Sequence, residues 1–97
     1  MSSTGIKVYI TSVSGSREVK NRVVKIQNTL TSMRIDYEEV DVALDAKYLE
    51  DMRAKMNDHK AVVPQFFKDD QYLGDYEAFH NALEDSNLLE FFQLSKD

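Results

Sequence analysis

The stretch "AVVPQFFKDDQYLGDYEAF", residues 61–79, holds the only proline of the chain. Pro64 stands between Val62-Val63 and Phe66-Phe67, inside an apolar run. Proline cannot donate to a strand ladder, so it belongs at the first residue of a strand or on an edge, not in a strand interior. The run therefore reads as a strand that Pro64 begins rather than interrupts. Asp70-Gln71 reads as a tight turn, and a short second strand through Tyr72-Leu73 ends at Gly74-Asp75. This hairpin fixes the second half of the fold, and the rest of the chain is read outward from it.

Upstream, residues 6–11 (IKVYIT) are β-branched and aromatic, as a strand requires. Ile6, Val8 and Ile10 share one face, and Lys7, Tyr9 and Thr11 share the other. The small polar segment SVSGS, residues 12–16, is a loop with a helix cap at Ser14 or Ser16. From Arg17 the apolar period changes to steps of three and four. Val19, Val23, Ile26, Leu30 and Met33 form one helical face. A second strand follows in RIDYEEVDV, through Ile35, Tyr37, Val40 and Val42. Its alternation slips at Glu38-Glu39, where a bulge is expected. Asp45 caps a second helix with Tyr48, Leu49, Met52 and Met56 inward, and Asn57 ends it. Residues 57–61 (NDHKA) form a polar loop.

Downstream of the hairpin, Asp75 is the expected N-cap of a third helix, with Tyr76, Phe79 and Leu83 inward. Ser86 is the expected cap of a last helical segment carrying Leu88, Leu89, Phe91, Phe92 and Leu94. The order is strand, helix, strand, helix, strand, strand, helix, helix. Its first three elements form a right-handed βαβ unit with parallel strands. An α/β fold of the thioredoxin and glutaredoxin layout follows: a four-stranded mixed sheet with helices on both faces, one domain over residues 1–97.

Composition narrows the function. The chain has 97 residues, 42% hydrophobic and 30% charged, with a net charge of -5. An acidic balance argues against nucleic acid, whose phosphates require a clustered basic surface. No apolar run nears the ~20 residues of a membrane span, and the start shows no signal peptide. A monomeric cytoplasmic protein, entering the nucleus by diffusion, is the expectation. There is no cysteine, which excludes disulfides, thiolate catalysis and cysteine metal sites. His59 and His80 have no metal-ligand spacing, so no metal is expected. Met33, Met52 and Met56 fall at helical spacing and read as core filler.

The segment VVPQFFKDDQYLGD resembles the glutaredoxin stretch in which Thr-Val-Pro opens the third strand and a Gly-Gly pair closes the hairpin. That resemblance implies a cis Val63-Pro64 bond, with residue 63 facing a ligand groove. KVYITSVSGSREVK, IDYEEVDV, PQFFKDDQYLGDYEAF and LLEFFQL together resemble the small SH3-domain-binding glutamic-acid-rich-like proteins. The resemblance implies a glutaredoxin-like domain without its active-site cysteines, acting as an adaptor or modulator of an unidentified protein partner rather than as an enzyme. No catalytic residue is expected. The implied ligand groove comprises Ser14, Gly15, Ser16, Val63, Pro64, Gly74 and Asp75.

The glutathione features of glutaredoxins are half present. Any residue can supply the backbone role of Val63. Gly74 keeps the second glycine of the pair, while Leu73 replaces the first. Tyr76 stands where a carboxylate is usual. Weak glutathione binding is the alternative reading, with no resident cofactor. The SH3 ligand suggested by the family name needs a PxxP segment. A single proline cannot supply one.

Overall fold

The computed structural model describes residues 4–94. The elements are β1 (Ile6–Ile10), α1 (Arg17–Ser32), β2 (Glu38–Asp41), α2 (Ala46–Met56), β3 (Gln65–Lys68), β4 (Gln71–Asp75), α3 (Tyr76–Glu84) and α4 (Leu88–Phe91). The sheet order is β2-β1-β3-β4. β1 pairs parallel with β2 and antiparallel with β3, and β3 pairs antiparallel with β4. The expected element order and mixed sheet are both present.

Strand alternation sends successive side chains to opposite faces. Ile6, Val8 and Ile10 of β1 and Phe66 of β3 join Val23, Ile26 and Leu30 of α1, Phe79 of α3, and Leu88 and Phe92 around α4. On the other face Tyr9 and Phe67 meet Met52 of α2 and Ala61. Phe66 and Phe67 are both fully buried, one on each side of the sheet. Each such side chain contributes about 1.5–3 kcal/mol by leaving water.

The slip at Glu38-Glu39 is not a bulge, because the β1–β2 register runs unbroken from Lys7↔Glu38 to Ile10↔Asp41. Tyr37 packs on the first face, whereas Val40 and Val42 pack on the second. The segment thus serves both faces, which is why no single alternation fits it. The bulge lies in the hairpin instead. Phe66 opposes Gly74 and Phe67 opposes Tyr72, leaving Leu73 unpaired and packed against the larger core.

Other expectations are corrected by a residue or a turn. The hairpin turns at Asp69-Asp70, not Asp70-Gln71, with Asp69 at φ 54°. Met33 is 44% exposed because it is the C-cap of α1, one step beyond the buried face. Tyr48, 40% exposed, lies off the inward face of α2. Met52 is the buried methionine, and Met56 packs beside it half-buried.

The caps expected at Ser16, Asp45 and Asp75 form. Their side chains accept from the amides of Val19, Lys47 and Ala78. Ser86 does not cap α4. It sits at φ 59° as the residue that closes α3, and Asn87 takes the N-cap position with no side-chain bond.

Among the described residues, the four helices end alike. Arg34, Asn57, Ser86 and Gln93 adopt left-handed backbone at φ 53–59°. The amides of Ile35, Asp58, Asn87 and Leu94 reach back to the carbonyls of Leu30, Arg53, Ala82 and Leu89. This is the Schellman closure, in which glycine is the usual left-handed residue. Here it is made four times without one.

Candidate functional site

The end of the sheet where β1, β2 and β4 finish and β3 begins collects the loops with chemical interest. Val63-Pro64 is cis, as the resemblance implied, and Pro64 directly precedes β3. Two side chains hold this loop from inside. Gln65, only 6% exposed, donates through Nε2 to the Val62 carbonyl at 2.7 Å and accepts from the Tyr72 hydroxyl at 2.8 Å. Both ends of a buried amide are thereby satisfied. Arg53 of α2 donates through Nε to the Ala61 carbonyl at 2.9 Å. Burial raises the Tyr72 hydroxyl above its ordinary pKa, with Asp75 and Asp58 adding to the shift.

A depression of about 160 Å³ opens beside this loop, lined by Val62, Val63, Pro64, Asp75, Tyr76 and Arg22 among others. The Arg22 guanidinium lies 4.8 Å over the Tyr76 ring and 3.6 Å from the Glu18 carboxylate. A neighbouring hollow of about 260 Å³ shares Arg22 and Tyr76 and continues to His80. Of the residues singled out from sequence, Val63, Pro64 and Asp75 come together here.

Gly74 does not line the depression. It is buried, and a Cβ there would stand 2.8 Å from the Ala78 Cβ and 3.1 Å from the Phe91 Cε1. Its place is packing between β4 and the helices behind it. Asp75 uses its carboxylate to cap α3.

Ser14, Gly15 and Ser16 lie in the β1–α1 loop and are not lining residues of the depression. Both serine hydroxyls have structural work. The Ser14 Oγ accepts from the Ser16 amide at 3.0 Å, and the Ser16 Oγ accepts from the Val19 amide at 3.3 Å. Among the described residues neither hydroxyl has a histidine or carboxylate partner to activate it.

The residue that organises this loop is Asp41, which the sequence analysis did not single out. Its Oδ1 accepts from the Ser12 amide and the Ala43 amide, each at 3.0 Å. Desolvation pushes this carboxyl up, but the hydrogen bonds from Ser12 and Ala43 outweigh it and the net shift is downward. The legible signal was an aspartate at a strand end with a backbone amide two residues on, an Asx turn.

Three exposed aliphatic side chains were also missed. Val13 is 76%, Leu44 77% and Val62 66% exposed. They follow β1, follow β2 and precede β3, so all three lie at this same end of three adjacent strands. Periodicity finds buried faces and says nothing of apolar residues in loops.

The fold defines a glutaredoxin-like domain. Solved structures agree on the fold. The holo form of glutaredoxin C1 from Populus tremula x tremuloides matches with a TM-score of 0.68 at 14% identity, covering 92% of this chain and 83% of that one. The actin interacting protein Aip5 of C. albicans matches with a TM-score of 0.71 at 20% identity, covering 90% and 86%.

The family is settled by sequence. The family model for SH3-binding, glutamic acid-rich protein matches residues 4–95. The SH3 domain-binding glutamic acid-rich protein homolog of Drosophila melanogaster is 35% identical over 102 residues, covering 93% of this chain. The protein belongs to this SH3-binding, glutamic acid-rich family. It spans 65% of the length of that fly relative.

Proposed function

We propose that this protein is a redox-inert protein-binding module whose contact surface is the loop end of the sheet. The observation that carries the reading is the trio Val13, Leu44 and Val62, exposed on neighbouring strand ends. Apolar side chains grouped on a surface mark interaction sites, whereas single ones are ordinary. With no cysteine in the chain, this end has no thiol for disulfide chemistry.

The partner does not read a polyproline stretch here. Pro64 is alone, and the three residues after it are buried in the sheet. Paired pull-downs test the reading, using the wild-type chain and a Val13→Asp/Leu44→Asp/Val62→Asp variant shown by circular dichroism to be folded. The partner set of the wild type is expected to be lost in the variant. An unchanged set overturns the proposal.

Weak glutathione binding is the second reading. It is favoured by the depression beside Val63, with Arg22 at its wall. Its volume falls below the ~300–1,000 Å³ of ordinary ligand pockets, so only part of a tripeptide fits inside. Affinity in the ~0.1–1 mM range is expected. Titration with glutathione should move the amide signals of Val63, Asp75 and Tyr76 first, and no shift at millimolar concentration ends this reading.

A further inference from the structure

The opposite end of the molecule holds a different surface. α1 and α3 both start at the loop end and run away from it, so both finish at the far end of the sheet. Where they finish lies a hollow of about 320 Å³. Leu83, Leu88 and Leu89 form its apolar walls, Met33 stands at its edge 44% exposed, and Glu90 also lines it.

The electrostatics of this end are one-sided. A helix C-terminus carries about half a negative charge, which basic residues in the last turn normally offset. α2 follows that rule with Arg53 and Lys55. α1 and α3 have no basic residue in the last turn. Glu90 lines the hollow, and Glu84 and Asp85, also exposed, end α3 next to its lining residues Leu83 and Ser86. Arg34, just beyond α1, is the opposing charge. Lys68 ends β3 at this same end, but its ammonium is taken up by the Gln93 carbonyl at 2.6 Å. Among the described residues Glu90 is the one charged side chain that lines the hollow.

We propose that this hollow receives apolar side chains of a partner's basic amphipathic segment, a leucine- or methionine-type anchor flanked by lysine or arginine. The apolar walls take the anchor, while the flanking cations meet Glu90 and the ends of α1 and α3. This is the helix-in-groove mode, with charge setting which helix is accepted. The hollow lies at the opposite end of the sheet from Val13 and Val62, so it can be filled independently of the loop end.

The test uses the full chain and two synthetic amphipathic helical peptides, one of leucine and lysine, the other of leucine and glutamate. The leucine–lysine peptide is expected to shift the methyl signals of Met33, Leu83, Leu88 and Leu89 saturably. The leucine–glutamate peptide is expected to leave them in place. Glu90→Lys, an exposed change that keeps the fold, is expected to weaken the first peptide several-fold. Three results overturn the proposal: equal shifts from both peptides, shifts confined to residues 12–16 and 61–64, or unchanged affinity in Glu90→Lys. Shifts of the same methyls with protein concentration alone would assign the hollow to a second copy and overturn it as well.

Discussion

The two faces of the sheet are built on different scales. Under α1, α3 and α4, eleven buried residues form one core, among the residues described. Under α2, four do. Phe66 stacks against Phe79 at 4.9 Å and touches Phe91 and Phe92 as well. Its neighbour Phe67 meets only Tyr9 and Tyr72 among aromatic rings. The thick face holds the molecule together. The thin face carries the Pro64 loop, since Ala61 belongs to its cluster and Arg53 of α2 ties that loop down. The candidate depression touches both faces, since Arg22 of α1 and Tyr76 of α3 also line it.

The sharpest way to break this comparison is to truncate the same residue type on each side. Phe66→Ala is expected to cost ~4–5 kcal/mol and Phe67→Ala about 3 kcal/mol, measured by urea denaturation. The aromatic pairs of Phe66, each worth ~0.5–1.5 kcal/mol beyond burial, set the difference. Equal losses would mean that the two faces contribute alike.

A smaller effect is expected from Arg53→Gln, which removes the guanidinium donor to the Ala61 carbonyl. The loss should be ~1 kcal/mol or a little more. Hydrogen exchange should quicken around residues 61–65 while the amides of α1 keep their protection. Uniform quickening would show that the thin face and the thick face open together.

The smallest effects come from pH, and they act on opposite regions. The Asp41 carboxyl is lowered when folded, so its stabilising contribution is present above its unfolded pKa of about 3.9. It is lost as pH falls through the folded value, and the loop at Ser12 should loosen first. Tyr37 is pushed up to about 12 by burial, the nearby charge of Glu39 and its hydrogen bond to that carboxylate. Its contribution is present below about pH 10 and lost as pH rises through 12. Tyr37 packs on the thick face. Amide spectra at the two extremes should therefore show acid acting on the residue 12–16 loop and alkali acting where α1 meets Tyr37. The same residues responding at both extremes would erase the distinction.

Much of the fold was legible because periodicity reports burial. The α1 face through Val23, Ile26 and Leu30 and the alternation in β1 follow directly from spacing. Pro64 placed the start of β3 because a missing amide leaves few positions open. Residues whose role depends on a distant partner were not legible. Gln65 looks like any strand polar residue until Tyr72 is brought beside it. Asp41 looks like surface charge until its carboxylate meets the Ser12 amide across the gap between strands. Ser86 has the side chain of an N-cap, yet its backbone closes the preceding helix, and only the dihedral angle separates the two uses. Val13, Leu44 and Val62 come to the same end of the sheet only when the strand order is known.

The four helix ends closed without glycine bear on how the chain tolerates change. Each side chain at Arg34, Ser86 and Gln93 sits in a backbone region that glycine enters more readily, at a cost of up to about 1 kcal/mol apiece after glycine's own flexibility is counted. Asn57 is the mildest case, since asparagine visits that region more easily than most residues. The sequence thus stands well short of the most robust version of itself. Substitutions that reshape the loop end or the far hollow can be offset at helix ends remote from the loop surface, so binding preference has room to drift among related chains while the fold persists.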